Sequence, residues 1–406
     1  MPPLRVEAIT DFEGFRSLEP IWNPLLERTD TAVPFLTHEW LTTWWASFGC
    51  GADPFVLVVR RGDEPVALAP LRVSRDDRRL SFMANAYSMR ANFLLADEPE
   101  ASLRAIFAHL AGSGLQWDEM LFNYMPGESA ATRLSAAVCS ECGLRFGFRP
   151  SLMSPHLSLA GLDWDEYLKG LGAGFRKNLL QSERRLSREG GHAAIYAEPN
   201  SLEEALDACR QVALTTWQHE QGTSIASAPQ LWEFYRSFAR VAAKRGWLRI
   251  GLLKAQGRPI AFQYNVHYGH TMYDLKPGYN QEFRRYSPGH VLTAFMIRRA
   301  FKEGATDYDM LGMDEPYKME WTDQVRPHTC LCVAGPGVAA ALGYWLEFGA
   351  RPRLRQWRPA RAVKQWLDAR RPSATLRGRL RMAPKGRSGA GAPTCQVTRQ
   401  GKAHSR

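Results

Sequence analysis

The chain has 406 residues, of which 45% are hydrophobic, so it is long enough to bury two ordinary cores. Its formal net charge is +11, but residues 351–406 hold 16 Lys or Arg against one acidic residue, which leaves the first 350 residues at −4. Because the positive excess lies wholly in the tail and no recognised RNA-binding module accompanies it, the composition argues against a nucleic-acid partner. Seven scattered cysteines form no regular framework, and no apolar run approaches the roughly 18 residues that a bilayer requires. We therefore expect reduced thiols, no membrane-spanning helix and a cytoplasmic location.

Two stretches of the chain have the same hairpin plan. Residues 54–73 predict a strand, a glycine turn and a strand, and residues 248–267 repeat this order. The repeat indicates an internal duplication, although any two hairpins share such a plan. The prolines Pro150 and Pro155 mark the expected boundary, so we predict one domain over 1–150 and a second over 151–337.

The second predicted domain begins with a basic helix over about 174–189. Phe175, Leu179 and Leu186 fall on one side of this helix, and most of its cationic residues fall on the others. The basic face is suited to phosphates or an acidic substrate, and equally to an ordinary solvated surface. A further helix is predicted over 202–219, and the cluster 218–220 that follows it is a secondary site candidate.

The segment from Tyr273 to 303 predicts a strand end, a turn and a helix. Ser287 is followed by proline and glycine, the order typical of a helix start, and apolar residues then recur at helical spacing to about 303. Free amides at a helix start attract phosphate, and Arg284 and Arg285 lie just upstream. This predicts a pyrophosphate pocket, although many helices begin in the same way.

A short strand over 306–311 should end near Asp309, where a carboxylate can reach a bound substrate. Asp309 is therefore a candidate base or orienting group, with a structural carboxylate capping the turn at Gly312 as the alternative. Beyond it, residues 338–372 combine basic residues with Trp345, Trp357 and Trp366. They predict an amphipathic basic helix that either leans on an anionic membrane or packs on the enzyme. Residues 373–406 are rich in Gly, Pro, Ser and Arg and predict a disordered tail.

The order of several motifs resembles one family. These motifs are Phe175 to Leu179, Gly278-Tyr279-Asn280, Ser287-Pro288-Gly289, Asp307-Tyr308-Asp309 and Pro316-Tyr317-Lys318 before Trp321. Together they resemble the GNAT-superfamily acetyltransferases of the CelD type, which act in cellulose and exopolysaccharide biosynthesis and are distantly related to the FemAB aminoacyltransferases. The resemblance covers about 172–321 and implies an α/β (α+β) fold of two tandem GNAT-like domains, each a mixed, mostly antiparallel sheet flanked by helices.

The resemblance also implies a function and a set of site residues. It implies an N- or O-acyltransferase that uses acyl-CoA, such as acetyl-CoA, on a sugar, sugar-nucleotide or polysaccharide-precursor acceptor, without a metal or a covalent enzyme intermediate. The implied catalytic residues are Asp309, Tyr317 and Lys318; the donor would lie on Arg284, Arg285, Ser287, Gly289 and His290; the substrate would contact Arg176, Asn178, Tyr273 and Asp274.

Two alternatives to this function follow from the same resemblance. The chain lacks the usual GNAT phosphate signature of glutamine or arginine followed by spaced glycines. A FemAB-type aminoacyltransferase that uses charged tRNA is therefore the first alternative. The second is a non-catalytic, membrane-associated factor for polysaccharide assembly, held at the inner face of the membrane through residues 338–372.

Overall fold

The computed structural model describes residues 2–112 and 114–350, and residues 1–341 form one compact unit. Its strands form one mixed sheet. The strands are Leu4–Ile9 (β1), Ala52–Arg61 (β2), Glu64–Ser74 (β3), Arg79–Phe82 (β4), Leu94–Leu95 (β5), Glu119–Pro126 (β6), Arg145–Ser158 (β7), His192–Tyr196 (β8), Leu248–Ala255 (β9), Arg258–Tyr268 (β10), Thr271–Tyr279 (β11), Asp307–Asp309 (β12) and Val325–Ala334 (β13).

Helices cover both faces of this sheet. They are Phe12–Ser17 (α1), Glu19–Glu27 (α2), His38–Phe48 (α3), Pro99–Gly112 (α4), Ala130–Glu141 (α5), Trp164–Gly170 (α6), Ala173–Arg188 (α7), Leu202–Ala213 (α8), Trp217–Glu220 (α9), Pro229–Lys244 (α10), Pro288–Lys302 (α11), Pro316–Met319 (α12) and Val338–Tyr344 (α13). The predicted helix over 202–219 is wrong in one respect, because the chain breaks after α8 and Thr216 caps a separate α9.

The strand order repeats the same plan in the two halves of the chain. The order is β1-β2-β3-β4-β6-β13-β7-β12-β11-β10-β9-β8, with β5 paired to β3. In the first half, the short edge strand β1 lies beside the hairpin β2–β3, and the parallel pair β4–β6 follows. In the second half, the short edge strand β8 lies beside the hairpin β9–β10, and the parallel pair β11–β12 follows. A helix connects the two strands of each parallel pair, α4 in the first half and α11 in the second. The predicted fold class of two tandem halves with mixed sheets is confirmed.

The two halves exchange strands at the centre of the sheet. β7 leaves the first half and pairs with β12 of the second, while β13 returns from the second half and pairs with β6 of the first. β7 and β13 also pair with each other. The expected boundary at 150 therefore falls inside β7. Pro150 is tolerated because it pairs with Thr329, directly beside a shift in the β7–β13 register between Pro327 and Thr329.

One apolar core is shared between the halves. Trp40 of α3 packs edge-to-face on Phe234 and Phe238 of α10, with ring centroids 5.0 and 4.6 Å apart. Each such aromatic pair contributes about 0.5–1.5 kcal/mol beyond the burial of its area. On the opposite face of the sheet, α4 and α5 cover the first half and α7 and α11 cover the second.

The structure describes only the start of the second unit, residues 342–406. It contains the end of α13 and a π-helical turn, Trp345–Ala350, in which the ring of Tyr344 packs on Phe348. The predicted disordered tail, 373–406, lies outside the described residues, as do residues 351–372 of the predicted basic helix. Within 2–112 and 114–350, no helix has the length and apolar character needed to cross a bilayer.

Candidate active site

A cavity of about 290 Å³, the α11 cavity, lies where β11 ends and α11 begins. The parallel strands β11 and β12 pair only from Thr271 to Tyr273, and beyond these residues they separate. The end of β11, the middle of β10, the first turn of α11 and two short helices contribute to the walls. The lining residues are Trp217, Gln218, Phe262, Gln263, Pro277, Gly278, Tyr279, Arg284, Ser287, Gly289, His290, Leu292, Thr293 and Tyr317.

The start of α11 gives the cavity an anion-binding end. Ser287 adopts φ 49° and ψ 49°, so its hydroxyl does not cap the helix as the sequence predicted. Its left-handed backbone costs about 1–2 kcal/mol, and such strain is frequent at binding sites. Without a side-chain cap, the first amides of α11 and the positive end of its dipole are left for an anionic ligand. Gly289 has no Cβ, and a Cβ there would lie 3.4 Å from the Tyr279 ring.

The two arginines before α11 have different surroundings. Arg284 is exposed and lines the cavity. Arg285 donates from Nη2 to the Tyr286 hydroxyl at 2.7 Å, and its guanidinium lies 4.7 Å from the centre of that ring. Of the two predicted phosphate ligands, Arg284 is therefore the one placed at the cavity.

A buried polar network lies beneath the cavity floor. Gln263 donates from Nε2 to Thr293 Oγ1 at 2.7 Å and to Asp274 Oδ2 at 3.2 Å. The Tyr308 hydroxyl links Gln263 to Asn265. The other Asp274 oxygen, Oδ1, has no hydrogen-bond partner among residues 2–112 and 114–350, and the residue is only 4% exposed. Burial raises the pKa of Asp274 to about 7.

Replacing Asp274 with asparagine tests this buried carboxyl. A folded-state pKa of about 7 lies above the unfolded value near 3.9, so the folded protein binds the extra proton and wild-type stability falls between about pH 4 and pH 7. Asp274→Asn removes that loss, and we expect its stability relative to the wild type to rise over this range by about 2–4 kcal/mol. Urea unfolding at pH 5 and pH 8 measures the change, with the exposed Asp323→Asn as the control. An equal difference at both pH values would contradict the prediction.

His290 lies in the cavity wall beside a carboxylate. Its Nε2 is 3.3 Å from Glu320 Oε2, and its ring packs edge-to-face on Phe175 of α7 at 5.1 Å. Burial lowers the pKa of His290 below its ordinary value of 6.5, so the imidazole is neutral at pH 7. A neutral imidazole keeps the lone pair of one of its two ring nitrogens. The histidine can therefore accept a proton.

Tyr317 and Lys318 are adjacent in sequence, but only Tyr317 lines the cavity. Tyr317 lines the cavity, whereas Lys318 is buried behind it and donates from Nζ to the carbonyls of Leu311 at 2.7 Å and Met313 at 3.4 Å. Nζ is also 2.8 Å from Glu315 Oε2. These partners account for the three protons of the ammonium group, so the geometry shows a lysine that fixes the 311–315 loop.

Tyr273 and Asp309 line a second cavity of about 350 Å³, the junction cavity, to which both halves contribute. Asp309 accepts from Arg90 Nη2 at 2.6 Å, from Ser154 Oγ at 3.2 Å and from the Leu311 amide at 2.9 Å. Burial alone would raise the pKa of this carboxyl, but the cations of Arg90 and Arg326 hold it below its usual value. A carboxylate bound by so many donors is better suited to positioning than to accepting a proton.

The remaining predicted substrate residues, Arg176 and Asn178, lie on α7 outside both cavity linings. Arg176 donates from Nη1 to the Lys169 carbonyl at 2.6 Å. The site residues predicted from sequence did not include Gln263 and Thr293 of the floor or Glu320 beside His290. Gln263 had a usable signal, because it is a polar residue that directly follows the apolar run Ile260–Phe262 of its strand.

Residues 173–319 match the family model of the acetyltransferase (GNAT) domain. This range contains α7, the whole α11 cavity wall and Lys318. The match covers about a third of the chain and supports a GNAT-type acyltransferase domain in its second half. No curated protein matches the sequence.

Solved structures show the same fold over most of the chain. FemX is 12% identical, with a TM-score of 0.55 over 80% of this chain and 96% of that one. The C-terminal domain of a putative lysylphosphatidylglycerol synthetase from Agrobacterium fabrum is 15% identical, with a TM-score of 0.52 over 81% and 94%. L-PGS from Bacillus licheniformis is 13% identical, with a TM-score of 0.50 over 80% and 96%. At these identities the similarity establishes the fold alone.

Proposed function

We propose that the protein transfers an acyl group from acyl-CoA to an amino or hydroxyl group of a sugar, a sugar nucleotide or a polysaccharide precursor, as a CelD-type acetyltransferase. The observation that carries the proposal is the uncapped start of α11, which opens into the α11 cavity beside Arg284. The pyrophosphate of the donor would bind the first amides of α11 and Arg284.

The side chains of the cavity can serve both proton transfers of the reaction. The acceptor attacks the thioester carbonyl, and His290 takes the proton that the acceptor loses. Tyr317, on the same cavity wall, can give a proton to the departing thiolate of CoA. The carbon–sulfur bond breaks as the new carbon–nitrogen or carbon–oxygen bond forms, and no acyl-enzyme intermediate is needed. In this mechanism Lys318 and Asp309 position the 311–315 loop and the end of β12.

Calorimetric titration with acetyl-CoA tests the donor site through two neighbouring arginines. Arg284→Ala removes a cation from the cavity, and we expect its Kd to rise about tenfold, equivalent to about 1.4 kcal/mol. Arg285→Ala is the matched control, since its guanidinium is bound to Tyr286, and its Kd should stay within about twofold. If both variants bound acetyl-CoA equally more weakly than the wild type, the loss would reflect the total positive charge and not a specific contact with Arg284. No binding of acetyl-CoA or longer acyl-CoAs to the wild type would refute the donor.

One observation favours a second candidate donor. The exposed cations Lys177, Arg184, Arg185 and Arg188 of α7 have no ion-pair partner among residues 2–112 and 114–350. α7 packs against the turn that carries Arg284. The FemAB resemblance implies charged tRNA as the donor, and such a basic surface suits its phosphates. Binding of charged tRNA that weakens in Arg184→Glu, with no binding of acetyl-CoA, would favour this candidate.

A further inference from the structure

The cysteines Cys330 and Cys332 of β13 lie outside the linings of the α11 cavity and the junction cavity. One residue separates them, so strand alternation places their side chains on the same face of the sheet. Their Sγ atoms are 3.8 Å apart, and the residues are 5% and 4% exposed, respectively. The two residues therefore form a buried dithiol that the proposed acyl transfer does not use.

Apolar packing does not explain this dithiol, although free cysteines usually pack in cores as small apolar residues. Leu331 and Val333, which alternate with the cysteines along β13, do belong to the apolar core beneath α4 and α5. In the part of the chain that the structure describes, neither cysteine is a member of an apolar core. Cys332 pairs with Gly147 of β7, which adds no side chain over the thiol. A small oxidant therefore meets less steric cover at Cys332 than it would in the core.

A guanidinium group lies beside one of the two thiols. Arg149 is directly opposite Cys330 in the β7–β13 ladder, and its Nε donates to Cys332 Sγ at 3.1 Å. The hydrogen bond from Cys330 and the positive charge of Arg149 lower the pKa of Cys332, whereas the same thiol–thiol hydrogen bond raises the pKa of Cys330. Cys332 is therefore the thiolate of the pair, and Cys330 is the thiol that donates to it. A thiolate beside a cation and a second thiol is typical of reactive cysteines.

The strand geometry permits a bond between the two sulfurs. Residues two apart along a strand have their Cα atoms about 6.6 Å apart, just within the limit of about 6.8 Å for disulfides. The pairing of β13 with β6 also shifts its register between Thr329 and Leu331, so the backbone at Cys330 is already irregular. A disulfide near the geometric limit is strained and is reduced more easily than a structural one. The pair is therefore suited to reversible oxidation.

From this arrangement we infer that Cys330 and Cys332 are a redox-active pair that a peroxide converts into a disulfide. The Cys332 thiolate attacks one peroxide oxygen, the oxygen–oxygen bond breaks, and Cys332 becomes a sulfenic acid while the other oxygen leaves as hydroxide. Cys330 then attacks the Cys332 sulfur, the sulfur–oxygen bond breaks, and the Cys330 proton leaves with the hydroxyl group as water. A thiol reductant reverses the oxidation by exchange. The inference goes beyond the proposed function and holds for either acyl donor.

Hydrogen peroxide treatment of the full-length protein, followed by mass spectrometry of its peptides, tests the inference. We expect the peptide that contains Cys330 and Cys332 to lose two hydrogens and to regain them with dithiothreitol. Cys330→Ser should stop at the sulfenic acid of Cys332, which dimedone traps. Arg149→Leu should slow the oxidation by about tenfold, because the thiolate fraction of Cys332 falls without the guanidinium. Arg145→Leu changes an exposed cation of the same strand, and this control should react as the wild type does.

A second pair of cysteines in the same chain is the internal control. Burial raises the pKa of both Cys139 and Cys142 at the end of α5, that of Cys139 to about 12, so we expect both to stay reduced. A wild type that forms no disulfide, or equal rates of oxidation at the two pairs, overturns the inference. An Arg149→Leu rate equal to that of the wild type overturns it as well. If Arg149→Leu does not fold, the absence of the sulfenic acid in Cys330→Ser overturns it instead.

Discussion

Replacing His290 with alanine is expected to lower kcat for acyl transfer by about 10²–10⁴-fold, because the cavity loses its proton acceptor. The Kd for acetyl-CoA should change by less than about threefold, since the backbone amides at the start of α11 and Arg284 remain. Thiol release from acetyl-CoA with glucosamine as acceptor measures kcat, and calorimetry measures Kd. A variant that keeps the wild-type kcat would place the base elsewhere.

The pH dependence gives a second check on His290. The base must be neutral, and burial places its pKa below 6.5. The wild-type kcat should therefore be constant above about pH 6.5 and decline as the pH falls below the pKa. Glu320→Gln is the companion variant, since it removes the negative charge that raises the pKa of the imidazole and so makes His290 a weaker base. We expect it to lose about tenfold in kcat and to keep its affinity for acetyl-CoA.

Replacing Arg90 with leucine is expected to lower the free energy of unfolding by about 3–5 kcal/mol. The change leaves Asp309, which is 2% exposed, without its closest cation in the interior. Urea unfolding at pH 7 measures the loss. Arg16→Leu is the control, because its ion pair with Glu13 is exposed and is worth less than about 1 kcal/mol.

Two further measurements separate a structural from a catalytic Asp309. Arg90→Leu combined with Asp309→Leu should recover much of the lost stability, because no unpaired charge is then buried. The loss in Arg90→Leu should also be smaller at pH 4 than at pH 7. Without Arg90 the buried carboxyl takes up a proton more readily, so at low pH it carries no charge. If the free energy of unfolding of Arg90→Leu equalled that of the wild type, the burial of the Asp309 carboxylate would not depend on its ion pair with Arg90.

The local elements of the candidate site could be predicted from sequence. The helix predicted from Pro288 to about 303 is α11, which ends at Lys302, because proline and the apolar spacing act within a few residues. The hairpins predicted over 54–73 and 248–267 are β2–β3 and β9–β10 for the same reason. The prediction that the Ser287 side chain caps α11 was wrong, because the serine adopts a left-handed backbone conformation in which its hydroxyl makes no cap hydrogen bond.

The distribution of site residues between the cavities could not be predicted. Tyr273 and Asp274 are adjacent in sequence, yet strand alternation places them on opposite faces of β11. Arg284 and Arg285 look equivalent in sequence, and the packing of Tyr286 decides which of them lines the cavity. Asp309 obtains its main partner, Arg90, from a position 219 residues away.

By itself, the sequence determined the two hairpins of similar plan, the helix that begins at Pro288 and the resemblance of the second half to a GNAT domain, because these depend on local spacing and on motif order. Only the tertiary structure decided the exchange of β7 and β13, the ion pair of Asp309 with Arg90, the pairing of His290 with Glu320 and the existence of two cavities. Each of these depends on contacts between residues distant in the chain, and such contacts leave no periodic pattern in the sequence.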